Sequence, residues 1–200
     1  LVVGRERLAG VSSGTYIVWS GSKWNSISTT NRRKMDYITV ATTGNAADFT
    51  GLYIDNRGSD ASAGDGSRGL FYGNGMITSN EINYITIEIP GSNAADFGDQ
   101  TEVRRDITAT GNDTYALAAG GSTANPNDLW DYSNRIDRVT VQTAGNASDF
   151  GNLTQQRNGF TACSDDTRAV FSPGYEYTNF TYGMDYVTIA TAGNATSFGT

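Results

Sequence analysis

An all-β fold made of four copies of one unit is what this 200-residue sequence predicts, on three observations. One phrase recurs four times at intervals of about 50 residues, a spacing typical of repeat architectures. The copies are MDYITVATTGNAADF (35–49), INYITIEIPGSNAADF (82–97), IDRVTVQTAGNASDF (136–150) and MDYVTIATAGNATSF (184–198). Within the phrase, β-branched residues alternate with others at the two-residue period of a strand. Glycine numbers 24 and proline only 3, among many Ser, Thr and Asn residues. That composition suits short strands joined by tight turns.

Each unit reads as four short strands. It opens on an arginine, Arg5, Arg57, Arg104 or Arg157, followed by a small-residue run at 8–11, 59–63, 107–110 or 160–163. A polar turn comes next, at 12–14, 64–67, 111–114 or 164–167. The second strand is apolar, covers 16–19, 69–72, 115–119 or 169–171, and ends near a glycine. In the third strand Ile38 and Val40 share a face, as do Ile85, Ile87 and Ile89, Val139 and Val141, and Val187 and Ile189. Thr39, Thr86, Thr140 and Thr188 point the other way. A Gly-Asn or Ser-Asn pair containing Asn45, Asn93, Asn146 or Asn194 then turns the chain, because both residue types tolerate positive φ. The fourth strand begins near Phe49, Phe97, Phe150 or Phe198 and runs into the next arginine.

Four antiparallel strands per repeat of about 50 residues make a propeller blade, whose two faces are buried only between neighbours around an axis. The small first strand suits the crowded centre. The expected architecture is a β-propeller with four blades of four antiparallel strands. They form a single repeat domain over 1–200, with blades at approximately 1–52, 53–100, 101–153 and 154–200. The repeat is cut in register at both ends, so a closed ring of four, a larger ring and a longer array all remain open. The phenylalanines are expected to wedge between blades. The arginines are expected to bond across blade junctions to carbonyls or to Asp36, Asn83, Asp137 and Asp185, with a cation ring for an anionic ligand as the competing role.

The order of arginine, small strand, apolar strand ending at glycine, alternating strand, Gly-Asn turn and aromatic resembles the kelch-type blade. Gly120-Gly121 matches that family's paired glycines; the other three units keep one glycine there, and phenylalanine stands where kelch blades carry a late Trp. Four blades also depart from the six or seven usual in that family. The phrases DYITVATTGNAADF and DYVTIATAGNATSF more closely resemble the divergent kelch-like repeats of structural proteins from cyanophages and other marine phages. That resemblance implies a virion or extracellular location, and other virion proteins or further copies of the chain as partners.

Charge and composition narrow the chemistry. Lys plus Arg is 14 and Asp plus Glu 21, a net charge of −7, which argues against a nucleic-acid partner. No apolar run approaches the ~18 residues of a membrane helix, so no membrane partner is expected. The chain has no histidine, which removes the commonest general base and transition-metal ligand. Cys163, the single cysteine, excludes an intrachain disulfide and is expected as a buried, inert thiol on an inner strand. No Ser-His-Asp set, phosphate loop or CxxC occurs, so neither catalysis nor a cofactor is expected. Asp55, Asp60 and Asp65 hint at calcium, but their spacing is not that of an EF-hand, and no metal site is expected.

The loops between second and third strands vary most, and five of the six aromatics of interest there cluster in the third and fourth. Trp24, Trp130, Tyr132, Tyr175, Tyr177 and Tyr182 stand beside Asn and Asp residues, the combination that stacks a sugar's C–H face and partners its hydroxyls. Packing of the loops onto blades or onto a neighbouring subunit is the competing role. The expectation is a non-enzymatic phage fibre or surface-decoration propeller that engages host glycan or anchors in the virion. A stand-alone lectin-like or protein-binding propeller is the alternative.

Overall fold

The computed structural model describes residues 6–22, 34–52, 61–73, 79–124, 130–177 and 179–200, and within them the chain is all-β with no helix. The first sheet joins β1 (Glu6–Ser12), β2 (Tyr16–Ser22), β3 (Lys34–Thr39) and β4 (Ala47–Gly51) in sequence order. The second begins with β5 (Ala61–Gly64), β6 (Arg68–Tyr72), β7 (Ser79–Thr86) and the eleven-residue β8 (Ala95–Arg105). The third unit supplies β9 (Thr108–Gly111) and β10 (Tyr115–Ala119), then the hairpin β11 (Ser122–Ala124) and β12 (Trp130–Tyr132), then β13 (Arg135–Thr140) and β14 (Ser148–Asn152). The fourth supplies β15 (Ala162–Ser164), β16 (Arg168–Phe171), the hairpin β17 (Tyr175–Glu176) and β18 (Asn179–Phe180), then β19 (Met184–Thr188) and β20 (Thr196–Gly199). All strand pairings are antiparallel.

The second sheet has six strands where the sequence predicts four. Residues expected to be an irregular loop form β11 and β12, and β11 pairs with the far end of β8 (Ser122↔Arg105, Thr123↔Arg104). The cause is the length of β8, which leaves an unpaired edge that the third unit's hairpin satisfies. Gly120 and Gly121 hold φ of 63° and 100°, the left-handed values that turn the chain out of β10 and across.

The first turn is built alike in all four units. Ser13, Asp65, Asn112 and Asp165 each accept from the backbone N–H three residues on, at 2.9, 2.7, 2.9 and 2.7 Å, and also from the N–H two residues on. This is the Asx or ST turn those residue types favour. A second shared device lies between third and fourth strands. In every unit the register slips by one residue, between Met35/Asp36, Ile82/Asn83, Ile136/Asp137 and Met184/Asp185. The extra residue opposite is Phe49, Phe97, Phe150 or Phe198, so each phenylalanine is the bulged residue of its sheet. The next residue holds positive φ: Thr50 142°, Gly98 139°, Gly151 149° and Gly199 147°. Bulges re-aim side chains, and here three of the four rings are swung into the gap before the following sheet.

Three apolar cores result, each between consecutive sheets. Val11, Val18, Met35 and Phe49 meet Phe71, Ile85 and Ile87. Leu70, Tyr72, Ile82 and Phe97 meet Ile107, Ala116, Val139 and Val141. Leu117, Ile136, Phe150 and Leu153 meet Ala169, Phe171, Val187 and Ile189. The first strands β1, β5, β9 and β15 lie side by side in that order. Among the described residues no core joins the fourth sheet to the first.

Two expectations are corrected by that open end. Phe198 does not wedge between sheets: it is 53% exposed, against 0%, 2% and 3% for Phe49, Phe97 and Phe150. Cys163 is exposed rather than buried. It pairs across from Val170 as Val11 does from Val18, on the face that would look toward a fifth sheet, and the described residues provide none.

Candidate functional site

Of the six predicted ligand-binding aromatics, the structure brings three together. The rings of Tyr132 and Tyr177 meet edge to face at 5.0 Å, and Tyr132 and Tyr175 at 6.5 Å. Phe180 extends the group, 5.6 Å from Tyr175. Tyr182 is 76% exposed one strand-end further on, and among the described residues no ring contact ties it to the others. Trp130 begins β12, but its side chain lies outside the described residues, as does the whole of Trp24. Phe180 is not among the six aromatics the sequence singles out, because a phenylalanine brings no polar group to mark it as a sugar-binding candidate. It sits opposite Tyr175 across the β17–β18 hairpin.

Two hairpins from different units build this cluster. β12 reaches it on the edge of the second sheet through β11. β17 and β18 reach it from the fourth unit, anchored by Asn158, which exchanges both backbone bonds with Tyr175 at 3.0 and 2.9 Å. The Asn158 side-chain amide donates to Ser122 Oγ at 2.8 Å, linking one hairpin's base to the other. At the tip, the Tyr177 hydroxyl donates to Asp131 Oδ1 at 3.0 Å. Tyr177 holds φ 51°, left-handed backbone that is uncommon outside Gly and Asn, and such strain collects at binding sites. Burial, then the neighbouring phenols of Tyr175 and Tyr177 and the carboxylate of Asp106, push the Tyr132 phenol upward. It therefore stays a neutral hydroxyl donor across the physiological range. Exposed edges and faces with adjacent hydroxyls and carboxylates give a surface for binding a polar ring.

Beneath this surface lie the repeated arginines. Arg104 and Arg157 are 0% exposed and each reaches the aspartate ahead of the third strand: Asp137 at 2.7 Å and Asp185 at 2.7 Å. Arg104 also donates to the carbonyls of Gly120 and Arg135, and Arg157 to those of Ser172 and Gly183. The aspartates complete the linkage by accepting from the segment that enters each unit from the preceding sheet, Asp137 from Thr101 and Asp185 from Thr154, through both N–H and hydroxyl. With their terminal nitrogens committed to carboxylate and carbonyls inside the protein, these guanidiniums hold units together. Arg5 and Arg57 lie outside the described residues, as do Asp55 and Asp60 of the calcium pattern; Asp65 is engaged in its turn. Among the described residues no group of three or more His, Cys, Asp or Glu is placed to hold a metal.

Compared with protein-family models and with curated proteins, the sequence matches none.

Proposed function

We propose that the four sheets are propeller blades stacked through their first strands, and that the chain is a non-enzymatic kelch-like virion protein, a phage fibre or surface-decoration module, that engages host-surface glycan. The single observation carrying the ligand assignment is the shared aromatic cluster of Tyr132, Tyr175, Tyr177 and Phe180. It is assembled from two units, and Tyr177 and Phe180 are 49% and 70% exposed. Apolar clusters of this kind are ordinarily buried, so holding one open at a surface, with Asp131 beside it, favours recognition of a ligand with one apolar and one hydroxylated face. The virion assignment is supported by the repeated DYITVATTGNAADF-type phrase.

A glycan array tests the ligand assignment. The unaltered chain binds a subset of surface polysaccharides, and Tyr177→Ala and Tyr132→Ala each weaken that binding at least about ten-fold, the scale of a central contact residue. Equal binding by both variants, or no glycan bound, removes the assignment. Antibody labelling of purified phage particles tests the location separately.

A further inference from the structure

The geometry points to head-to-tail association, in which the open face of the fourth sheet docks on the open face of the first sheet of a second copy. The two faces are the two halves of an interface the chain already makes three times. On the first sheet, Leu8 is 42% and Val40 52% exposed, while Ile87, Val141 and Ile189, at the Val40 position of the other units, are 0% exposed. Leu8, Trp19, Ile38 and Ala46 line a hollow of about 350 Å³ on that face. On the fourth sheet Phe198 is 53% exposed, with its ring against Tyr186 of the same sheet. The two exposed apolar faces are thus matched in kind, and continuity with the internal interfaces selects a second copy as occupant.

The polar part of the repeated interface is also present, in register. At the second junction Gly145 N donates to Phe97 O at 2.7 Å, Ala147 N to Asp99 O at 2.7 Å, and Asp99 N to Asn146 Oδ1 at 3.0 Å. At the third, Gly193 N donates to Phe150 O at 2.7 Å, Ala195 N to Asn152 O at 2.8 Å, and Asn152 N to Asn194 Oδ1 at 3.0 Å. Phe198, Gly199 and Thr200 end the fourth unit, and Gly44, Asn45 and Ala46 form the first unit's turn, so each group of those bonds has its counterpart. Gly98 and Gly151 have no room for a side chain because the next sheet's backbone abuts them: a methyl on Gly98 would lie 2.5 Å from Gly145. Gly199 holds the same conformation, φ 147°, facing open space. The junction arginine is poised as well. Arg68 stacks on Tyr84 and donates to Val141 O of the next sheet at 3.1 Å. Arg168 stacks on Tyr186 in the same manner, and the matching acceptor is the Val40 carbonyl of the second copy.

Because the two faces differ, the contact is heterologous and builds a closed ring or an open array. Sedimentation of the 200-residue chain, from about 1 to 200 µM, where moderate interfaces become populated, reads it directly. The unaltered chain associates with rising concentration. Phe198→Asp and Val40→Asp, one on each face, each stay monomeric with unchanged melting temperature; Arg168→Glu is a second lesion on the Phe198 face. Mixed in equal amounts, the Phe198→Asp and Val40→Asp chains form a one-to-one complex that grows no further, since each retains one intact face. Three results overturn the inference: a monomer at every concentration, a mixture that does not pair, or a Phe198→Asp chain that melts early while monomeric, as a chain closed on itself would. Glycan binding is read independently of all three.

Discussion

At the scale of single residues, polar groups as well as apolar ones mark where one unit meets the next. Arg104 and Arg157 satisfy carbonyls that strand ends leave over, and Asp137 and Asp185 accept at the same time from the segments entering their units, at Thr101 and Thr154. Such a group is costly to break because a buried charge is left alone, by about 3–5 kcal/mol. These partners were legible in the sequence: a repeated arginine and a repeated acidic residue ahead of the third strand are hard to explain unless they meet. The turn carboxylates have a pH signature. Backbone N–H donors from Arg168 and Thr167 hold Asp165 below its ordinary value of 3.8. A depressed folded-state value means the turn's contribution is complete above that ordinary value and fades as pH falls through the lowered one. Asn112 fills the same role without titrating. Asp165→Asn is therefore expected to keep near-neutral stability and show a smaller loss between pH 5 and pH 2 in urea titrations.

At the scale of elements, the unit is a sheet with a built-in offset. One bulged phenylalanine and a positive-φ residue after it swing the fourth strand toward the following unit. Alternation in the third strand predicted the buried faces, and Ile85, Ile87, Val139 and Val141 occupy them. The bulge was not legible, since a phrase shows the Phe-Gly pair but not the register slip it permits. The β11–β12 hairpin was likewise hidden: the edge it satisfies belongs to β8 of another unit. Thr50 is the exception among the positive-φ positions, at 142° where the other units have glycine, and its hydroxyl bonds to Ser92 O at 2.5 Å. Strain there is about 1–3 kcal/mol and the bond about 0.5–1.5 kcal/mol. Thr50→Gly should accordingly stabilise the chain by about 1 kcal/mol in equilibrium unfolding.

At the scale of the whole molecule, four similar sheets share three cores, and the two remaining faces are open. The count of units and their boundaries could be read from the repeat, but the openness could not. Identical phrases imply identical surroundings, and Phe198 and Cys163 have the wording of buried residues without a following sheet to bury them. The aromatic cluster was half legible: the composition of two loops flagged Tyr132, Tyr175 and Tyr177, while their meeting depends on hairpins whose anchors, Asn158 and Ser122, are unremarkable in the sequence. Trp24 and Trp130, chosen on the same grounds, lie outside what the described side chains can place.

The central claim is that each unit is held by the sheet that follows it, and the four phenylalanines measure this directly. Urea unfolding of the dilute chain with each one changed to alanine should show losses of about 3–5 kcal/mol at Phe49, Phe97 and Phe150, the cost of emptying a packed core. Phe198→Ala should lose well under half of that. Four equal losses would mean that the fourth sheet is covered within the chain and that the units close on themselves.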